Sequence, residues 1–170
     1  MSSWPTQAEV LSNRSVFGDP RGKDRTRMSP AWEAANITSI VPPFRMTYAD
    51  TPIKRIRVHK HCAASLGKVL ENLRDAAARH EPKNPQKLLD HWGVSIFGGV
   101  VMYRLMRGGN RLSIHSYGAA IDLDPARNSL GDSTPRFANF PEVLKAFERE
   151  RWTWGGTWSR ADGMHWQATA

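Results

Sequence analysis

Ser113-Ile114-His115-Ser116-Tyr117-Gly118-Ala119-Ala120-Ile121-Asp122-Leu123-Asp124 is the run from which the rest of the chain can be read. Ala119 to Leu123 is short and apolar apart from Asp122, and a strand there places Ala120, Asp122 and Asp124 on one face by its two-residue alternation. A carboxylate turned inward is costly without a partner, and a divalent cation lets it keep its charge. His115 lies seven residues before Asp122, and Gly118 can bend the chain sharply enough for imidazole and carboxylate to converge.

Further along stand Trp154-Gly155-Gly156-Thr157-Trp158 and Asp162-Gly163-Met164-His165-Trp166. His165 offers a third donor. Two histidines and one carboxylate leave a tetrahedral zinc an open position, where bound water becomes acidic enough to attack a carbonyl near neutral pH. Asp162, three residues before His165, is placed to act as a general base provided that it is not itself a ligand.

Taken together, Ser-x-His, six residues, Asp, and a distal acid-x-x-His resemble the VanY-like D-Ala-D-Ala carboxypeptidases and the phage L-alanyl-D-glutamate endolysins. The resemblance is confined mainly to about residues 97 to 166. It implies a hedgehog/D-Ala-D-Ala peptidase-like α+β fold, zinc on His115, Asp122 and His165, and Asp162 as base. These families also carry an arginine on the strand before the first histidine, where a cation stabilises a developing oxyanion or holds a substrate carboxylate. Arg104 is the first candidate for that role and Arg107 the second. Ser113 is implied near the metal or substrate, and Trp166 stands where relatives often have phenylalanine, which makes it a candidate for the pocket wall.

Outward from this run, Lys60 to His80 repeats apolar residues at three- and four-residue spacing, namely Cys62, Leu66, Val69, Leu70, Leu73, Ala76 and Ala77, so it reads as an amphipathic helix. A shorter helix fits Asn84 to Trp92, ended by Gly93, and the apolar segment Val94 to Leu105 reads as strand with a bulge at Gly98-Gly99. Ile53 to Val58 reads as a half-buried strand. Asn139-Phe140-Pro141-Glu142 has the pattern of a capping box before a helix to about Arg149. Ser29-Pro30 suits a short helix start anchored by Trp32. Trp152, Trp154 and Trp158 alternate, and two of the three read as core. His59, His61, His80 and His91 lack a nearby carboxylate pattern and read as surface or structural residues. Separated helices mixed with strands predict one α+β domain with a small antiparallel or mixed sheet. Residues 1 to 50 are expected as an arm packed on a catalytic domain over 51 to 170.

The 170 residues carry a formal charge of +8 and a single cysteine, Cys62, which rules out an internal disulfide and a Cys-rich zinc site. The charge favours an anionic partner, and by itself does not choose among nucleic acid, phosphate-rich lipid and an acidic cell-wall polymer. No zinc-finger spacing or long Lys/Arg block points to specific nucleic-acid binding. No apolar run is long enough for a membrane anchor, and the first residues lack the pattern of a signal peptide. The expectation is a monomeric peptidoglycan peptidase, phage or prophage in origin, made in the cytoplasm and acting on stem peptides of the wall after release. The alternatives are a zinc-containing wall-binding or protein-binding domain without activity, as in the related hedgehog domain; an iron oxygenase, which usually has its acid two residues after the first histidine; and a basic nucleic-acid-binding module, motivated only by the charge.

Overall fold

Helix α3 (Lys60–His80) is the spine of the molecule, and its apolar stripe accounts for this. All seven apolar positions read from its periodicity are buried. In this computed structural model, which describes residues 3–170, the chain runs α1 (Gln7–Leu11), α2 (Pro30–Asn36), β1 (Ile37–Ile40), β2 (Thr47–Tyr48), β3 (Thr51–Pro52), β4 (Ile56–His59), α3, α4 (Pro85–Trp92), β5 (Phe97–Gly99), β6 (Ala120–Leu123), α5 (Pro141–Arg149), β7 (Thr153–Trp154) and β8 (His165–Gln167). Short 3-10 turns cover Ile114–Tyr117, Arg136–Asn139 and Gly155–Thr157.

The local signals act as their chemistry dictates. Ser29 caps α2 by accepting from the Trp32 amide, with Pro30 in the first turn, and the Trp32 indole N–H is anchored on the Phe17 carbonyl. Asn84 caps α4, and Gly93 ends it in the left-handed conformation at φ 88°. A side chain at Gly93 would also collide with the Asp124 carboxylate, so only glycine fits there.

A four-stranded antiparallel sheet of order β5-β6-β8-β7 carries Asp122 and His165. Its registers set Asp122 opposite His165 and Ala120 opposite Gln167, so these four residues share a face. The other face of β8 gives Trp166 to the core, stacked on Phe147 at 4.3 Å and 11° and edge-on to Phe137. β1 pairs with β4 in a second small ribbon, and β2 with β3 in a third. The segment expected as an arm thus provides β1 and sends Val10, Phe17 and Met46 into the common core. Among the described residues no helix is long and apolar enough to cross a membrane.

Three local expectations are corrected. Only Phe97 to Gly99 of the Val94 to Leu105 segment is strand, because Gly99 turns to φ 132° at a register shift, where the bulge was expected. Beyond it the Ser116 hydroxyl takes over, donating to the Arg104 carbonyl and accepting from the Arg104 amide. Asn139 caps nothing: it closes a 3-10 turn, α5 starts at Pro141 behind Phe140, and Glu142 pairs with His80 instead of reaching back. The strand read over Ile53 to Val58 begins only at Ile56.

Candidate metal centre

His115 arrives on the 3-10 turn Ile114–Tyr117. Ser113 starts that turn, its hydroxyl accepting from the His115 amide at 3.4 Å, and Gly118 ends it at φ 67°. The bend expected at Gly118 is therefore present, and it feeds straight into β6, where Asp122 faces His165 across the ladder. Asp124 does not share that face. It has left the strand at φ 44°, where its carboxylate accepts from the Arg127 side chain beside Gly93.

The three donors converge. His115 Nε2 lies 3.0 Å from Asp122 Oδ1, His165 Nδ1 lies 3.1 Å from the same oxygen, and the two ring nitrogens are 3.2 Å apart. All three side chains are buried, with His115 fully enclosed. A tetrahedral metal with bonds of roughly 2.0–2.2 Å separates its donors by roughly 3.3–3.5 Å. The triangle is therefore a slightly contracted ligand set, and the group is one that could hold a metal ion. The mixed imidazole and carboxylate donors suit zinc. His115 is oriented for the role by donating its Nδ1–H to the Val100 carbonyl at 2.9 Å, which in the neutral ring leaves the Nε2 lone pair facing the other donors.

Electrostatics agree with the geometry. Burial opposes ionisation of Asp122, yet hydrogen bonds and charge from His115 and His165 outweigh it and hold the carboxyl well below the usual range. For His165, burial pushes the imidazole down, and Asp122, together with Gln167 and Asp162, more than reverses that push. Asp162 is the counterpart: burial raises its carboxyl above the ordinary value, with His165 only partly countering. Its Oδ1 is buried with no hydrogen-bond partner among the described residues, an orphan lone pair beside the three donors.

Backbone packing puts Asp162 there. Its amide donates to the Gly155 carbonyl at 2.9 Å and its carbonyl accepts from the His165 amide at 3.1 Å. A Cβ on Gly155 would stand 2.7 Å from the Asp162 carbonyl oxygen, so the Trp-Gly-Gly turn is the seat on which the acid rests. Asp162 is not part of the three-donor group.

A cavity of about 290 Å³ opens over the centre, lined by Asp122, Asp162 and His165 and by Arg104, Arg107 and Ser113. Both candidate arginines therefore reach the same space. Arg107 is exposed, and its charge is felt at Asp162; Arg104 is half-buried and donates to the Leu105 carbonyl at 3.3 Å. Trp166 is a correction. It is fully buried and lies outside the cavity, because the residue after a ligand on a strand must face the other way. The aromatic wall is Trp158 instead, tilted against His165 at 5.5 Å, while Trp152 is core and Trp154 stacks on Trp166. Gln7, Arg160 and Gln167 also line the cavity and were not read from the sequence. The His165-x-Gln167 alternation carried the signal for the last of these; nothing near Gln7 did. A larger cleft, about 780 Å³, lies between the amino-terminal segment and α3, lined by Trp4, Arg14 and His61 among others, and among the described residues it holds no such donor group.

Residues 107–168 match the family model described as D-alanyl-D-alanine carboxypeptidase. The matched span contains Arg107, Ser113, all three donors and Asp162, and with the donor group it suggests a metallopeptidase. Arg104 and the amino-terminal segment fall outside it. No curated protein and no solved structure matches the chain.

Proposed function

We propose that the chain is a zinc-dependent peptidoglycan peptidase of the endolysin kind, hydrolysing an amide bond of the cell-wall stem peptide. The observation that carries the reading is the pairing of a converged, oriented three-donor set with an unpartnered carboxylate oxygen in one cavity. Zinc on His115, Asp122 and His165 would supply the Lewis acidity that makes a bound water a nucleophile at neutral pH.

The chain's own residues supply the rest. Asp162, kept out of the ligand set by its seat on Gly155, accepts a proton at Oδ1 and returns it to the leaving amine. Arg104 and Arg107 hold the anionic groups of a stem peptide, with Ser113 beside them on the cavity wall. Trp158 shields one side of His165 from water. The formal charge of +8 draws the protein to an anionic envelope.

The test is digestion of isolated peptidoglycan by wild type and by Asp162→Ala, following released amino groups with and without a zinc chelator and identifying the new termini. Chelator-sensitive release that drops by roughly 10²–10⁴-fold in the variant while its zinc content persists is expected. Release of nothing by zinc-loaded wild type would leave a wall-binding domain in its place.

A further inference from the structure

The two histidines of the centre are held by different means. His115 is oriented by a backbone carbonyl, whereas His165 is oriented by a side chain: its Nε2 lies 2.9 Å from Gln167 Oε1. Gln167 is in turn saturated. Its amide nitrogen donates at 2.8 Å to Gln7 Oε1 and at 2.7 Å to Thr169 Oγ1, and the side chain is buried. Both amide N–H groups are thereby used, so only the oxygen is left to face His165.

That leaves the neutral His165 ring one option. An acceptor at Nε2 requires the ring proton on Nε2, and the remaining lone pair then sits on Nδ1, between Asp122 Oδ1 and His115 Nε2. With Gln167 turned over, an N–H would meet Nε2 and drive the ring proton onto Nδ1, into the place a metal would occupy. The orientation of one amide therefore decides whether His165 is a ligand.

Gln7 carries this control into the amino-terminal segment. It sits on α1, whose start is fixed by a reciprocal cap between Thr6 and Glu9, and the Pro5 carbonyl accepts from the Ala170 amide at 2.9 Å. The two ends of the described chain are thus tied together next to the centre, and Gln7 also lines the cavity.

We propose that Gln167 and Gln7 are positioning residues that select the metal-binding tautomer of His165, so that the amino-terminal segment is a working part of the centre. The inference rests on the zinc reading of the three donors, and not on the identity of the bond cleaved.

The experiment measures zinc affinity by chelator competition, together with the visible spectrum of the cobalt-substituted protein, for wild type, Gln167→Leu, Gln167→Glu, Gln7→Leu and Asp122→Asn. Gln167→Leu is expected to lose roughly 10–100-fold in affinity and to alter the cobalt spectrum. Gln167→Glu keeps the acceptor and restores affinity to near wild type; Gln7→Leu shows a smaller loss in the same direction. Wild-type affinity and spectrum in Gln167→Leu and Gln7→Leu would overturn the proposal. If Gln167→Leu does not fold, Gln7→Leu decides it, with the His165 tautomer read from nitrogen NMR of the metal-free protein: a neutral wild-type ring with its proton on Nδ1 would also overturn it. Zinc binding absent from wild type, or unchanged in Asp122→Asn, would instead remove the zinc reading on which the proposal stands.

Discussion

The molecule has two pairs of neighbouring histidines, and they have opposite fates. His115 and His165 meet edge-on at 4.9 Å around the Asp122 carboxylate. His59 and His61 stack at 5.3 Å and 26°, with Phe17 and Trp32 against His59 and no carboxylate in the group. In the second pair burial lowers His59 to about 4, so it is neutral and serves as a helix cap, its Nδ1 accepting from the His61 amide. Proximity of imidazoles alone therefore does not make a metal centre. An anionic oxygen held between them makes a group that could hold a metal, since it stabilises a cation in a site from which water is largely excluded.

Asp122→Asn strikes at that difference and should have the largest effect. The amide is nearly the same size but carries no charge, which makes the first pair resemble the second. Zinc affinity should fall by more than the roughly 10–100-fold expected for loss of an outer partner, and hydrolysis should vanish with it. The fold should survive, because the strand register is set by the backbone ladder of β6 with β8. Titration with a competing chelator checks the first point and circular dichroism the second; full zinc occupancy in a folded variant would mean that the two histidines suffice.

Gly118 joins the two pairs physically. Its carbonyl accepts from the His59 amide at 2.9 Å, and it lies three residues past His115 at φ 67°. A Cβ there would stand 2.8 Å from Ile37 Cδ1 and 2.9 Å from the His59 nitrogen. Gly118→Ala combines a left-handed backbone penalty with overpacking, about 2–4 kcal/mol together. Chemical denaturation should show that loss, with zinc affinity reduced because the His115 turn must shift. A variant as stable as wild type would show the two regions to be independent.

What the sequence could disclose divides along the same line. Short-range chemistry was legible: the stripe of α3, the Ser29 and Asn84 caps, Gly93 as a stop and Gly118 as a bend each depend on neighbours a few residues away. The donor set was legible through combined motif resemblance, since spacing by itself does not say that Asp122 and His165 stand opposite each other on adjacent strands. What escaped depends on distant partners. Gln7 meets Gln167 from the other end of the chain, Glu142 abandons the expected cap for His80, and Ser116 replaces strand pairing after Gly99 with its own hydroxyl. Trp166 was misplaced for a different reason: the alternation that sends His165 into the site sends the next residue to the core.

His59 gives the smallest effect near neutral pH and the sharpest contrast below it. Its folded value of about 4 lies under the 6.5 of a free imidazole, so the unfolded chain takes up this proton first as the pH falls. Stability from the neutral, buried ring is complete above about 6.5 and is lost between there and about 4, by at most about 3 kcal/mol. Burial is the main cause, and the positive charges of His61 and Lys60 add to it. Protonation at Nδ1 would also remove the acceptor that caps α3. His59→Asn keeps a capping oxygen that does not titrate in this range, so its unfolding free energy should change less steeply between pH 6.5 and 4 than that of wild type, whatever packing it loses against Phe17 and Trp32. The metal-free protein is the one to measure, because the other histidine pair then contributes equally to both curves and cancels in the difference. Parallel curves would mean that His59 ionises in the folded state, and the contrast between a pair that holds charge and a pair that excludes it would fail.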